Sequence, residues 1–171
     1  MDLKRQELLI LYKLIAQPGH SWSYAALADA LRMSVGEVHN SVKRAVTCGL
    51  AVSHGRGHWE PVRPALLEFS LHGIRYAFPA EKGPPGRGVP TSIGVAPLAN
   101  EISTAQGDIP VWPHPEGTMR GPTLSPLYKT AADAALIDPV MHEYLALLDG
   151  LRSGRARERA LAEKLLKARL S

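Results

Sequence analysis

Residues 24–50 read YAALADALRMSVGEVHNSVKRAVTCGL, and this stretch decides the N-terminal fold. Apolar residues at helical spacing predict one helix over 24–32 and a second over 34–48. Almost no linker separates the two helices, so they must cross steeply. Ser34 and Glu37 have the spacing of a capping box, which begins the second helix, and Gly49 supplies its stop.

The second helix is expected to have two unlike faces. Val38 and Val42 would dock it on its neighbours. The opposite face carries Gly36, His39, Asn40, Lys43, Arg44 and Thr47. That face is small at its start, polar in the middle and cationic further on, as a helix entering the DNA major groove needs to be. Glu37 fits a cap better than a base contact, whereas Asn40 fits an adenine contact and a solvated amide equally well.

The pattern extends to both sides of this stretch. Residues 3–17 have helical spacing and end at Pro18-Gly19. After Gly49, residues 50–52 and 59–62 predict two short strands around a Gly-x-Gly turn, which is a hairpin signal. Arg56 stands alone at the tip of that hairpin, where it could reach a phosphate or the minor groove.

Over about residues 5–62 the chain resembles the winged helix-turn-helix superfamily, in the style of bacterial MarR-type regulators. The matching segments are 24–34 for the second helix and turn, 35–50 for the recognition helix with its closing Gly-Leu, and 52–59 for the wing. The resemblance implies a transcriptional regulator, a repressor or autoregulator, that binds an inverted repeat in double-stranded DNA as a homodimer. It implies DNA contacts by Ser34, Gly36, His39, Asn40, Lys43, Arg44 and Arg56.

The rest of the chain divides at residue 130. Ten of the fourteen prolines lie between Pro79 and Pro126, so long helices are excluded there and short strands are expected at 75–78, 92–95 and 109–112. Helical spacing returns at 139–151 and 156–170. The sequence therefore predicts an α+β chain of three parts: a winged domain at 1–62, a Pro/Gly-rich region at 63–130 and a helical segment at 131–171.

Charge is unevenly spread along the chain. The net charge of +4 combines +3 over residues 1–76, −4 over 77–150 and +5 over 151–171, and the basic ends suggest a polyanion partner. The last helix carries Leu161, Leu165 and Leu166, which we expect near the centre of a two-fold interface. Two alternatives remain open: a basic helix that binds DNA or an acidic partner, and a helix packed on its own domain.

Composition bears on the other classes of function. The single cysteine excludes an internal disulfide, and no apolar run is long enough for a membrane span, so we expect a cytoplasmic protein. Cys48, His54 and His58 lack a fourth metal ligand, and no phosphate-binding glycine loop or nucleophile motif is present. We therefore expect neither an enzyme nor a cofactor.

One alternative function remains. The architecture loosely resembles antitoxin or autoregulator proteins of nucleotidyltransferase operons. That resemblance implies a protein-binding module that neutralises a partner enzyme encoded nearby.

Overall fold

Helix α1 (Arg5–Ala16), which is buried over most of its length, lies at the centre of the structure. The computed structural model describes residues 2–55 and 57–171. Every residue from Glu7 to Ile15 is buried, whereas an ordinary surface helix buries only one stripe. Helix α1 is buried on more than one side because two helices pack on it. One is α3 (Val35–Thr47), from the N-terminal part of the chain, and the other is α8 (Pro139–Ser153), from the C-terminal part.

The elements around α3 follow the local sequence signals. The Ser23 hydroxyl caps α2 (Tyr24–Leu31) by accepting a hydrogen bond from the Ala26 amide at 3.0 Å. Ser34 and Glu37 form the expected capping box, with amide-to-side-chain distances of 3.1 and 3.0 Å. Strands β1 (Ala51–Ser53) and β2 (Trp59–Pro61) pair antiparallel. The predicted helices at 3–17, 24–32 and 34–48 and the predicted hairpin are confirmed to within about two residues.

The C-terminal half completes the same core rather than building a second one. The helices predicted at 139–151 and 156–170 are confirmed as α8 and α9 (Ala156–Leu170). Helix α7 (Ala131–Ile137) lies inside the segment 131–171 that was predicted to be helical. Three further helices that the sequence did not predict are α4 (Arg63–His72), α5 (Ile74–Ala77) and α6 (Leu98–Glu101). One cluster of buried apolar residues runs from Leu8 to Leu170. None of the helices in the described ranges combines the length and the hydropathy that crossing a membrane requires.

The Pro/Gly-rich region forms a small closed sheet. Strand β3 (Lys82–Pro90) pairs antiparallel with β4 (Val111–Pro113) and β5 (Met119–Leu124), and β4 meets β5 at Val111 and Thr123. Most of β3 pairs along one edge only, with a bulge between Gly83 and Pro85, so its prolines displace few ladder hydrogen bonds.

The strand predictions for this region were partly wrong. The one at 109–112 is confirmed in part by β4. The one at 92–95 is wrong because residues Ser92–Gly94 form a 3-10 turn. The one at 75–78 is wrong because Ile74–Ala77 form a helical turn that buries Ile74 and contacts α8.

A buried carboxylate fastens this region to the helices. Asp149 of α8 is 1% exposed. Its two oxygens accept hydrogen bonds from the Thr91 hydroxyl (2.6 Å), the Trp112 indole (2.8 Å) and the Arg152 guanidinium (2.7 Å). Arg152 also donates to the Phe78 carbonyl at 2.8 Å. Burial raises the pKa of the Asp149 carboxyl, while Arg152 and the hydroxyl and indole donors act in the opposite direction.

We predict that Asp149→Ala lowers the free energy of unfolding by about 3–5 kcal/mol, because it leaves the Arg152 charge buried without its partner. Urea denaturation followed by circular dichroism measures the change. The control is Glu163→Ala, which removes an exposed pair with Lys167 and should cost no more than about 0.5 kcal/mol. Equal, small losses for the two variants would contradict the structural role of Asp149.

Candidate functional site

One face of α3 is polar and open to solvent. Val38, Ser41, Val42 and Ala45 are buried against the rest of the chain. The residues of the opposite face are exposed: Gly36, His39, Asn40, Lys43 and Thr47. Five of the six residues expected on this face are therefore brought together on one accessible surface, which we call the α3 face.

Arg44 is the exception, and the expectation that it contacts DNA needs correction. Its guanidinium Nη2 lies 2.7 Å from Glu7 Oε1 and 3.0 Å from Ser41 Oγ. Glu7 is completely buried, and only 18% of the Arg44 side chain is exposed. The hydrogen bond to Glu7 is the main reason why the pKa of Arg44 is raised. Arg44 therefore neutralises the buried Glu7 carboxylate and is not part of the α3 face.

The first turn of α3 is held from two sides. Ser34 is exposed, but its hydroxyl is engaged with Glu37 as a cap. The Tyr128 hydroxyl donates a hydrogen bond to the other Glu37 oxygen at 3.1 Å. These contacts lower the pKa of Glu37, with the Ser34 amide as the largest contribution and Tyr128 next. Glu37 therefore has the capping role that its spacing predicts.

Lys129 is a candidate residue that sequence reasoning missed. It is exposed, lies next to Tyr128 in the chain, and its charge helps to lower the pKa of Glu37. It therefore adds a cation beside the first turn of α3. Because 91 positions separate Tyr128 from Glu37, no local pattern could have predicted this neighbour.

An aromatic row connects α3 to the hairpin. The His39 ring lies 5.1 Å from the Tyr24 ring, and the Tyr24 ring lies 4.7 Å from Trp59 on β2. The hairpin also touches the loop before α2, because Gly57 sits so close to Trp22 that a Cβ there would lie 2.1 Å from the Trp22 carbonyl oxygen. Arg56, the predicted contact at the hairpin tip, lies outside the described residues.

Gly36 has no packing reason to be glycine. A Cβ built at this position meets no atom within 4 Å. Glycine in a helix costs up to about 1 kcal/mol relative to alanine. The chain therefore gives up helix stability at an open position of the α3 face, where an external molecule could approach the backbone closely.

The leucines expected at a dimer interface are not free. Leu166 is fully buried within the chain itself, and Leu161 and Leu165 are partly buried against the same core. Leu166 must therefore be removed from the expected interface, because α9 uses this face to pack on α8 and α4. Among the described residues the exposed large apolar side chains of the C-terminal half are Leu136, Ile137 and Val140. They form what we call the α7–α8 corner.

Within residues 2–55 and 57–171 no group of three His, Cys, Asp or Glu side chains is arranged to hold a metal ion. His54 lies 2.9 Å from Glu60, on the opposite strand of the hairpin, and Cys48 is exposed. Comparison of the chain with protein-family models, with curated proteins and with solved structures gives no match.

The neighbours Lys43 and Arg44 provide a direct test of this geometry. We predict that Arg44→Ala lowers the free energy of unfolding by about 3 kcal/mol, because buried Glu7 loses its partner. Lys43→Ala should change it by no more than about 0.5 kcal/mol. Urea denaturation of the two variants measures both changes. An equal loss of unfolding free energy in Lys43→Ala and Arg44→Ala would refute the assignment of Arg44 as the partner of buried Glu7.

Proposed function

We propose that the protein is a sequence-specific DNA-binding regulator of the winged helix-turn-helix type, with α3 as its recognition helix and β1–β2 as its wing. The observation that carries the proposal is the α3 face. Gly36 leaves room at the leading end, Asn40 offers an amide to base edges, and Lys43 offers a charge to phosphates.

The stability of the first turn supports this role. A helix reads bases only when its first turns hold one position in the groove. The Ser34–Glu37 box and the Tyr128 hydroxyl hold this turn from both sides. The row His39, Tyr24 and Trp59 connects α3 to the hairpin through side-chain packing. The recognition helix and the wing would therefore approach DNA as one unit.

The charge of this surface favours two copies on one site. With Arg44 bound to Glu7, the cations beside α3 include Lys43 and Lys129. A few phosphate contacts give weak binding at physiological salt, and a single winged domain covers little DNA. A homodimer on an inverted repeat doubles the number of phosphate contacts and the length of DNA that is covered. The α7–α8 corner, with three exposed apolar residues, is the surface that we assign to self-association.

The same corner also supports a second candidate function. Exposed clusters of apolar residues commonly mark protein-binding surfaces. A partner enzyme seated on Leu136, Ile137 and Val140 would make the protein a binding module of the antitoxin kind.

Selection of binding sites from a random pool of duplex DNA tests the DNA-binding function. We expect an enriched sequence in the form of an inverted repeat, and binding that weakens steeply between 50 and 200 mM salt, by roughly a thousandfold for about six phosphate contacts per dimer. Failure to enrich any sequence, together with a flat salt response, would refute the DNA-binding proposal and favour the binding module.

Two variants separate base reading from phosphate contact. Asn40→Ala should cost about 1–3 kcal/mol on the selected site and much less on random DNA. Lys43→Ala should weaken binding to both DNAs alike and lower the salt slope by about one per copy. Lys164→Ala, on α9, is the control and should change neither quantity. Equal losses on both DNAs for Asn40→Ala would show that Asn40 does not read bases.

Gly36→Ala offers a test in which stability and binding move in opposite directions. The methyl group meets nothing in the chain, so the free energy of unfolding should rise by up to about 1 kcal/mol. Affinity for the selected DNA should fall, because the methyl group occupies the space needed by the DNA backbone. Thermal unfolding and fluorescence anisotropy give the two values. Unchanged affinity would mean that DNA does not approach this position.

A further inference from the structure

A cavity of about 590 Å³ opens between the three-stranded sheet, the segment 92–105 and the start of α9. None of its lining residues belongs to the α3 face. Its volume is that of a small-molecule site. The walls are formed in part by apolar residues, namely Ile93, Ile102, Pro110, Pro122 and Leu124.

A strained serine lines this cavity. Ser92 has φ of +53°, in the left-handed region that non-glycine residues seldom adopt. Such a conformation persists only where its surroundings enforce it, and it is common at ligand sites. Here the preceding residue, Thr91, is anchored by its hydroxyl to Asp149 and by its amide to the Pro110 carbonyl at 2.9 Å.

The cavity lining holds a buried hydroxyl group without a partner. The Thr104 hydroxyl is buried and has no hydrogen-bond partner among the described residues. Buried polar groups in native proteins are nearly always satisfied. The Thr104 hydroxyl therefore indicates a ligand that supplies a donor or an acceptor there. Ser92, which is only 2% exposed, places a second hydroxyl-bearing side chain in the same lining.

The rim of the cavity is cationic. Lys82, Arg155 and Arg157 line it, and all three are exposed. The first turn of α9 faces the same space and adds the positive end of a 15-residue helix. Two acids also line the cavity, Asp108 and Glu158. Glu158 accepts a hydrogen bond from the Arg155 amide at 2.9 Å and keeps its charge. Three cations against two acids leave the lining with a net charge of +1.

We propose that this cavity binds a nucleoside monophosphate. The apolar walls accommodate the base, the hydroxyls of Ser92 and Thr104 bind the ribose hydroxyls, and Lys82, Arg155 and Arg157 bind the phosphate. A nucleoside monophosphate combines an apolar base, hydroxyl groups and an anion, which match the apolar walls, the hydroxyl side chains and the cationic rim of the cavity. The proposal does not depend on DNA binding, because it involves none of the residues of the α3 face.

Titration calorimetry of the full chain with AMP tests the proposal, with adenosine and inorganic phosphate as the separated parts. We expect AMP to bind, and each part alone to bind at least about tenfold more weakly. AMP at about a hundred times its Kd should also raise the Tm by roughly 5 °C or more. No binding of AMP, or equal binding of inorganic phosphate, would overturn the proposal; the latter would indicate a bare anion at a helix end.

Variants of the lining identify the contacts. Ser92→Gly relieves the backbone strain, so the Tm of the free protein should be unchanged or higher, while affinity for AMP falls about fivefold through loss of the hydroxyl. Arg157→Gln should weaken AMP binding by about tenfold. The matched control is Lys164→Gln, another exposed cation of α9, and it should bind AMP normally. Full affinity in both Ser92→Gly and Arg157→Gln would place AMP elsewhere and overturn the proposal.

Discussion

The buried carboxylate of Asp149 is the constraint on which the C-terminal half depends. A charge removed from water must be matched by donors at the correct positions. Thr91, Trp112 and Arg152 supply those donors, and Arg152 in turn donates to the Phe78 carbonyl. The Pro/Gly-rich region contains the three-stranded sheet β3–β5. Its position on the helices is fixed by these hydrogen bonds together with Val89 and Leu98, which belong to the common apolar core.

The same requirement orients α1 within the core. Glu7 and Lys13 are charged residues on a helix that is buried on all sides, and each has a partner on a different element. Glu7 binds Arg44 of α3, and Lys13 binds Asp138, the cap of α8, at 2.7 Å. Buried ion pairs add little net stability, but they penalise every arrangement in which the partners separate. The α3 face is thereby held at a defined orientation to the C-terminal helices.

Local signals made the N-terminal part predictable. Helix spacing, the Ser34–Glu37 cap and the Gly-x-Gly turn act within a few residues, and the helices and hairpin lie where these signals put them. The features that sequence reasoning missed depend on contacts between residues that are far apart in the chain. Arg44 is a surface cation by its local pattern, but Glu7 lies 37 positions away and holds it inside. Leu166 belongs to the core because α4 and α8 cover it, and β3 forms because β5 pairs with it. None of these long-range partners can be identified from the spacing of residues within a single helix or strand.

The continuous core has a consequence for how this chain can be altered by recombination or by design. Proteins built from separable modules exchange parts by cutting at a linker that few contacts cross. Here a cut after residue 62 would leave α1 without α8, which covers its C-terminal side, and would leave Lys13 without Asp138. Grafting residues 2–62 onto another protein therefore requires a host that supplies both an apolar helix and a carboxylate at that place. Residues 2–62 therefore depend for their packing on the C-terminal helices, with which they share one core.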